Sequence, residues 1–196
     1  MTQPASDSTT RSRLLDAARE LLTERGFSGV TTRAIADRAG VNNALVHYHF
    51  GSKTALLTEA ALAELSDEID TPVRLLREAP SVGAGAAAAI EWIGELDVTE
   101  PRVRLLVELT IEALRDPSVR PVIGQTLEAV RADLAGVLAA RGDVDDTLAG
   151  PLAAVLTALF DGVMLHRLVD SDLDVKPWAA AAEVVGPVKS QRRRFR

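Results

Sequence analysis

The 196-residue chain is 47% hydrophobic and 26% charged and has no cysteine, a globular composition that excludes disulfides, thiolate metal sites and cysteine nucleophiles. Its net charge of −6 argues against an indiscriminate nucleic-acid binder, yet residues 1–55 carry +2, residues 56–188 carry −13 and residues 189–196 carry +5. A basic N-terminal part, called here the head, followed by an acidic part suits a molecule in which only the head contacts the phosphates of a nucleic acid. A chance imbalance of charge gives the same pattern.

The N-terminal part of the chain is predicted to be helical, because Ala and Leu dominate and apolar residues recur at helical rather than alternating spacing. Ser and Thr offer N-caps at residues 8–10, at Thr31 and at Ser52, whereas Gly26 and Gly40 are suited to end helices. The predicted helices cover about residues 8–26, 32–39, 42–48 and 53–71, the last ending or kinking at Pro72.

The C-terminal part is predicted to contain five longer helices. The one that opens with Pro101 is apolar nearly all round, so we expect it to be central. None of the apolar stretches is long enough to span a bilayer and the N-terminus lacks a signal-peptide core, so we expect a cytoplasmic protein with no membrane partner. The predicted spans are 83–96, 101–115, a helix that ends at 140, 146–169 and 177–186.

The stretch from Thr32 to Tyr48 has the residue sizes that a helix-turn-helix needs. Ala36 is small where two short helices would touch, and Gly40, four residues later, permits a left-handed backbone in the turn. A plain helical hairpin would satisfy the same spacing. The apolar residues that would close the small core are Ile35, Ala39, Val41 and Val46.

The flanking residues make the pattern more specific. The segment RLLDAARELLTERGFSGVTTRAIADRAGVNNALVHYHFGSKTALL, residues 13–57, resembles the N-terminal domain of the TetR family of transcriptional regulators throughout. The resemblance implies an all-α fold, with a three-helix helix-turn-helix DNA-binding domain at 8–57 and a fourth helix that continues as a connector to about 71. A helical ligand-binding and dimerisation domain at 72–188 and a basic, disordered tail at 189–196 would follow.

The resemblance also implies which side chains meet DNA, with the start of the third helix in the major groove. Asn42 is expected to cap that helix while Asn43 contacts a base, and Arg33 suits guanine or phosphate unless it is a solvated charge. Leu45 is either a thymine-methyl contact or buried, and His47 stands where the family usually has Tyr. The complete set of candidate DNA contacts is Thr32, Arg33, Asn42, Asn43, Leu45, His47, Tyr48 and Lys53.

For the C-terminal domain the resemblance implies an effector cavity and a dimer surface. The candidate pocket residues are Trp92, Glu108, Phe160 and Met164, and the candidate dimer residues are Leu152, Leu156, Leu159 and Val163, with ordinary core packing as the alternative for each. We expect a homodimeric repressor that leaves a palindromic operator when a small, mostly apolar effector binds.

No catalytic, cofactor or metal motif is found in the sequence, so we expect no enzyme, cofactor or metal site. The alternatives are a ligand-independent regulator or activator and a helical interaction module or enzyme that keeps the head fold.

Overall fold

The computed structural model describes residues 4–142 and 144–184, and every regular element in those ranges is an α-helix. The expected all-α fold is therefore confirmed. The helices are α1 (Pro4–Gly29), α2 (Thr32–Ala39), α3 (Ala44–Phe50), α4 (Lys53–Glu64), α5 (Ser66–Glu78), α6 (Val82–Glu95), α7 (Pro101–Arg115), α8 (Arg120–Ala140), α9 (Asp146–Val169) and α10 (Lys176–Glu183).

Three of these helices begin at hydroxyl N-caps. The side-chain oxygen of Thr31 accepts a hydrogen bond from Ala34 N at 3.1 Å, and Ser52 and Ser81 accept equivalent bonds at 3.0 and 3.1 Å. Each bond satisfies an amide that has no partner inside its own helix. The caps at Thr31 and Ser52 are those expected from the sequence.

Several helix boundaries differ from the prediction, most clearly at the start of α1 and within the predicted fourth helix. Helix α1 begins at Pro4 rather than near residue 8, because proline is well suited to the first helical turn. The predicted fourth helix is two helices that meet at Leu65, and α5 passes through Pro72 instead of ending there. Asp67 and Glu68 lie in the first turn of α5, where negative charge favours a helix start.

The helices form two compact units, which among the described residues comprise 4–66 with 99–123 and 67–98 with 124–142 and 144–184. The expected division placed all of 72–188 in one domain, whereas in the structure α7 packs with the N-terminal helices α1 and α4. The first unit has an apolar core to which α1, α2, α3 and α4 all contribute. Its fully buried side chains include Leu14, Leu22, Ile35, Val46, Leu56 and Leu57.

In the second unit the small residues of α6 permit close helix packing. A Cβ on Gly83 would lie 2.5 Å from the Glu183 carbonyl oxygen of α10, and a Cβ on Gly85 would lie 2.8 Å from Leu76 Cα of α5. Only glycine allows backbones to approach so closely. The small residues from Gly83 to Ala89 therefore allow tight helix packing. From the sequence alone, they could equally have left space for a ligand.

Helix α9 is apolar on both faces. One face is buried and includes Ala153, Phe160 and Met164. Among the described residues α9 is also the one helix long and apolar enough to cross a bilayer by length and composition, which differs from the expectation that no stretch would be. Its outward face also exposes Asp161 and His166; the exposed apolar residues of this face, called here the outer stripe, are Ala154, Val155, Ala158, Leu159, Leu165 and Val169.

Candidate nucleic-acid interface

The turn between α2 and α3 has the geometry that the sequence predicts. Gly40 adopts the left-handed conformation with φ 64° and ψ 39°, and its amide donates to the Asp37 carbonyl at 3.2 Å. The next amide, that of Val41, donates to the Ala36 carbonyl at 3.0 Å. These bonds close the end of α2, as glycine commonly does at this position.

Arg13 of α1 holds this turn from outside, and no pattern in the sequence singled it out. Its guanidinium donates to the carbonyl oxygens of Ala39 and Gly40. A Cβ on Gly40 would lie 2.9 Å from the same Nη2 atom. Arginine near carbonyl oxygens at a helix end is favourable because those oxygens carry partial negative charge. Arg13 thus ties the orientation of α2 to α1.

The start of α3 presents two exposed asparagines with different roles. Asn42 Oδ1 accepts a hydrogen bond from Ala44 N at 2.8 Å, so this side chain acts as a cap, as expected. Asn43 makes no side-chain capping bond and is exposed. Leu45 is half-buried, and the adjacent Val46 is fully buried in the core of the first unit. The exposed side chain of Asn43 is therefore the one placed to reach outward.

Two exposed side chains lie at the end of α3. Tyr48 is 72% exposed, although tyrosine is ordinarily a partly buried residue. His47 Nδ1 lies 3.1 Å from the Gly51 carbonyl oxygen, so a protonated Nδ1 donates there and fixes the ring. His49 is half-buried and packs edge-on against Tyr48 and Phe50, with ring centroids 4.9 and 6.4 Å apart.

The two candidate phosphate-binding cations differ in how firmly they are held. Lys53 Nζ donates to the Val30 carbonyl at 3.1 Å, which leaves two of its three protons for another acceptor. The Arg33 side chain is 88% exposed and lies 3.9 Å from Asp37, a contact too open to contribute much. Thr32, beside it, is half-buried.

Arg38, another basic residue of the head, is paired with two carboxylates. Its guanidinium donates to Glu20 at 2.8 Å and to both oxygens of Glu24 at 2.9 and 3.0 Å. The bond from Arg38 holds the pKa of the Glu24 carboxyl below its usual value, so the pair is ionised near neutral pH. This part of α2 therefore has little net charge to offer a phosphate.

The structure separates the four candidate effector residues. Phe160 and Met164 lie on the buried face of α9, which packs on α6, the helix that carries the half-buried Trp92. Glu108 belongs to the other unit, where its Oε2 accepts a hydrogen bond from Phe27 N at 2.8 Å. Because its carboxylate is used there, we remove Glu108 from the candidate pocket.

The four candidate dimer residues are likewise divided. Leu156 and Val163 are only 3% and 2% exposed because they pack inside their own chain, so they do not lie on an outward face. Leu159 is 39% exposed and belongs to the outer stripe, and Leu152 is half-buried. The sequence spacing placed all four on one stripe, but a helix that is apolar on both faces supports two such stripes.

Comparison with known proteins assigns both parts of the chain. Residues 14–60 match the family model for bacterial regulatory proteins of the tetR family. Residues 80–188 match the model described as tetracyclin repressor-like, C-terminal domain. The transcriptional regulator BetI of Rhizobium meliloti is 30% identical over 162 residues, which are 82% of this chain and 79% of BetI. BetI of Agrobacterium fabrum is 30% identical over 88% of this chain and 84% of its own length.

Solved structures agree with these matches. A regulator from Streptomyces coelicolor has a TM-score of 0.68 at 24% identity and covers 92% of this chain and 99% of its own, which shows the fold. The multidrug binding protein EbrR in complex with imidazole has a TM-score of 0.66 at 28% identity, over 93% of this chain and 97% of its own. The family and its members are transcriptional regulators rather than enzymes. This chain therefore belongs to the TetR family of bacterial transcriptional regulators.

Proposed function

We propose that this protein is a cytoplasmic homodimeric repressor that binds a palindromic operator and releases it when a small, mostly apolar effector occupies the second unit. The observation that carries the proposal is the cluster of exposed polar side chains on and beside α3, Asn43, His47 and Tyr48, in a segment that matches the DNA-binding model of the family.

The α3 helix is proposed to lie in the major groove. Asn43 would contact a base edge, for which adenine is the best partner of an asparagine side chain. Thr32, Arg33, Tyr48 and Lys53 would contact phosphates on either side, and such contacts set register and affinity rather than sequence preference. His47 would lie beside these contacts, and Leu45 would contact a thymine methyl group.

Binding-site selection followed by titration tests this arrangement. Asn43→Ala should relax sequence preference by about 1–3 kcal/mol at one position, whereas Lys53→Ala should weaken all sequences alike and lower the salt slope by about one. Arg104→Ala is the matched control, because Arg104 is an exposed arginine on α7, outside the proposed interface. Wild-type protein that prefers no duplex over random competitor at modest ionic strength contradicts the proposal.

The outer stripe of α9 is proposed to pair with the same stripe of a second copy, with α10 beside it, in a four-helix bundle. Val155, Leu165 and Val169 are 63%, 54% and 83% exposed, and isolated soluble chains rarely expose a contiguous apolar surface. Val184, the residue that follows α10, is 82% exposed. Pairing of two copies would account for the apolar character of both faces of α9 without a membrane.

A charge on the stripe tests the dimer. Val155→Glu should give monomers in analytical ultracentrifugation and should weaken operator binding, because two linked heads bind two half-sites about 34–36 Å apart. The matched control is Leu114→Glu on α7, which is 72% exposed but lies outside the stripe and should leave the dimer intact. A Val155→Glu protein that remains dimeric contradicts the assignment of this face.

The effector is proposed to enter between α6 and α9, beside Trp92, Phe160 and Met164. Aromatic faces and a thioether suit apolar and planar aromatic compounds, and they also attract organic cations. Two findings on relatives guide the choice of probes. EbrR has been solved in complexes with proflavin and with ethidium, and a regulator from Saccharomonospora viridis has been solved in complex with choline.

Tryptophan fluorescence can report this site directly. The chain has two tryptophans, so Trp178→Phe leaves Trp92 as the only indole. Its emission should change in a saturable manner with an effector, and Trp92→Phe should abolish that change. Because planar aromatic cations also bind duplex DNA, operator release is measured with compounds that do not, such as choline. If no compound from a metabolite library alters operator affinity, a ligand-independent regulator or activator replaces the proposal.

A further inference from the structure

The kink at Gly26, near the end of α1, is held by a carboxylate from α7. Gly26 has φ 65° and ψ 175°, which interrupts the helical geometry of α1 one residue before Phe27. Glu108 Oε2 accepts that amide hydrogen at 2.8 Å. A Cβ on Gly26 would lie 3.2 Å from Glu108 Oε1, so both carboxylate oxygens lie against the turn. Glu108 therefore completes the hydrogen bonding of a turn that belongs to the DNA-binding head.

The same turn leads directly into the elements proposed to meet DNA. Lys53 Nζ donates to the Val30 carbonyl at 3.1 Å, and Thr31 caps α2. The segment from Gly26 to Thr31 is thus bonded to α7 at its beginning and to α4 at its end. Its position sets where α2 starts, and hence where the side chains of α2 point.

Helix α7 contacts the head at a second place, two turns further on. Asp116, at the end of α7, accepts a hydrogen bond from the Thr54 side chain of α4, and Ser118 donates to it at 2.9 Å through N and 2.7 Å through Oγ. The Ser118 hydroxyl is the largest influence that keeps the pKa of the Asp116 carboxyl low, so the acceptor is ionised near neutral pH. The α7 helix therefore bonds to α4 as well as to the residue after the kink in α1.

Helix α7 is also continuous in sequence with the second unit. Four residues separate it from α8, which runs without interruption from residue 120 in the first unit to residue 140 in the second. This short covalent connection is the path by which the proposal links α8 to α7. Among the polar contacts described between α7 and the head, the hydrogen bond that Glu108 accepts from Phe27 N is the one at the segment that leads into α2.

We propose that Glu108 is a positioning residue that couples α7 to the turn before α2, so that the state of the second unit and the affinity for operator depend on each other through this hydrogen bond. The inference rests on the proposed DNA-binding function. Coupling between two sites is reciprocal, so operator binding must also alter the second unit. That reciprocity allows a test without an effector.

The experiment measures hydrogen exchange of peptides from residues 124–184, with and without an operator selected by the wild-type dimer, well below the melting temperature of each protein. Glu108→Gln keeps an acceptor of the same length for Phe27 N, and Glu108→Ala removes it. Glu112→Ala is the control, one turn away on α7. Operator affinity and non-specific DNA affinity are measured in parallel.

In wild type, Glu108→Gln and Glu112→Ala, operator binding should change exchange in the second unit. In Glu108→Ala that change should be lost and operator affinity should fall at least fivefold, with non-specific affinity within twofold of wild type. A bond that only stabilised the fold would lower the melting temperature without removing the operator-induced change. If Glu108→Ala does not fold, Glu108→Asp, which is too short to reach the amide, must show the same loss.

Two results overturn the inference. One is no operator-induced change in the second unit of the wild type. The other is a folded Glu108 variant that lacks the bond to Phe27 N and still shows the same operator-induced change in hydrogen exchange as the wild type. Failure of the wild type to select any duplex is a different result, because it removes the proposed function itself.

Discussion

Substitution of Gly40 by alanine isolates the contact between Arg13 and the helix-turn-helix turn. At φ 64° an alanine costs about 1 kcal/mol relative to glycine. The new Cβ would also lie 2.9 Å from Arg13 Nη2, and the flexible guanidinium would move away rather than clash. That movement removes its bonds to Ala39 and Gly40, and a hydrogen bond from a charged group contributes about 1.5–3 kcal/mol.

The two contributions together predict that Gly40→Ala lowers the free energy of unfolding by about 3 kcal/mol. For a chain of this length that corresponds to a fall in Tm of about 6–12 °C. Gly142 provides the matched control, because it has φ 72° and a Cβ added there would have no atom of another residue within 4 Å. Gly142→Ala should therefore show only the conformational cost of about 1 kcal/mol.

Urea unfolding at equal protomer concentration measures both effects, since the stability of a dimer depends on concentration. A double-mutant cycle then assigns the difference. In an Arg13→Met background the cost of Gly40→Ala should fall to that of Gly142→Ala. Equal costs for Gly40→Ala and Gly142→Ala in the wild-type background would refute the reasoning, because the arginine would then contribute nothing to the turn.

Three further predictions concern single side chains. Ser81→Ala should lower the free energy of unfolding by about 1 kcal/mol, because the α6 cap to Ala84 N is lost, as urea unfolding would show; no change contradicts the cap. Tyr48→Phe should weaken operator binding about two- to tenfold with an unchanged salt slope, since a neutral hydroxyl releases no counterion; a slope change in titrations contradicts this. Asp161 lies at the surface of α9, where partial desolvation raises the pKa of its carboxyl against an opposing effect of Arg131; this carboxyl therefore favours folding at low pH and loses that contribution as pH rises past its unfolded pKa. Asp161→Asn should therefore raise Tm at pH 7 and not at pH 3, and equal shifts at both pH values contradict it.

Local sequence signals were sufficient to predict most of the helices and the turn between α2 and α3. Hydroxyl caps at Thr31 and Ser52 and the glycine at 40 act within a few residues of where they stand, so their effect can be read without the rest of the fold. The all-α class and the family followed from the same residues. The placement of Asn42 as a cap also needed only its neighbour two residues away.

Contacts between distant residues could not be predicted in this way. Glu108 was a candidate for the effector pocket that the family resemblance implies, but its carboxylate accepts a hydrogen bond from an amide 81 positions earlier in the chain. The sequence spacing predicts that Leu156 and Leu159 lie on one stripe. In the structure α9 packs on α6, and Leu156 is buried whereas Leu159 stays exposed. Helical periodicity determines which residues share a face, whereas tertiary packing alone decides which face is covered and by what.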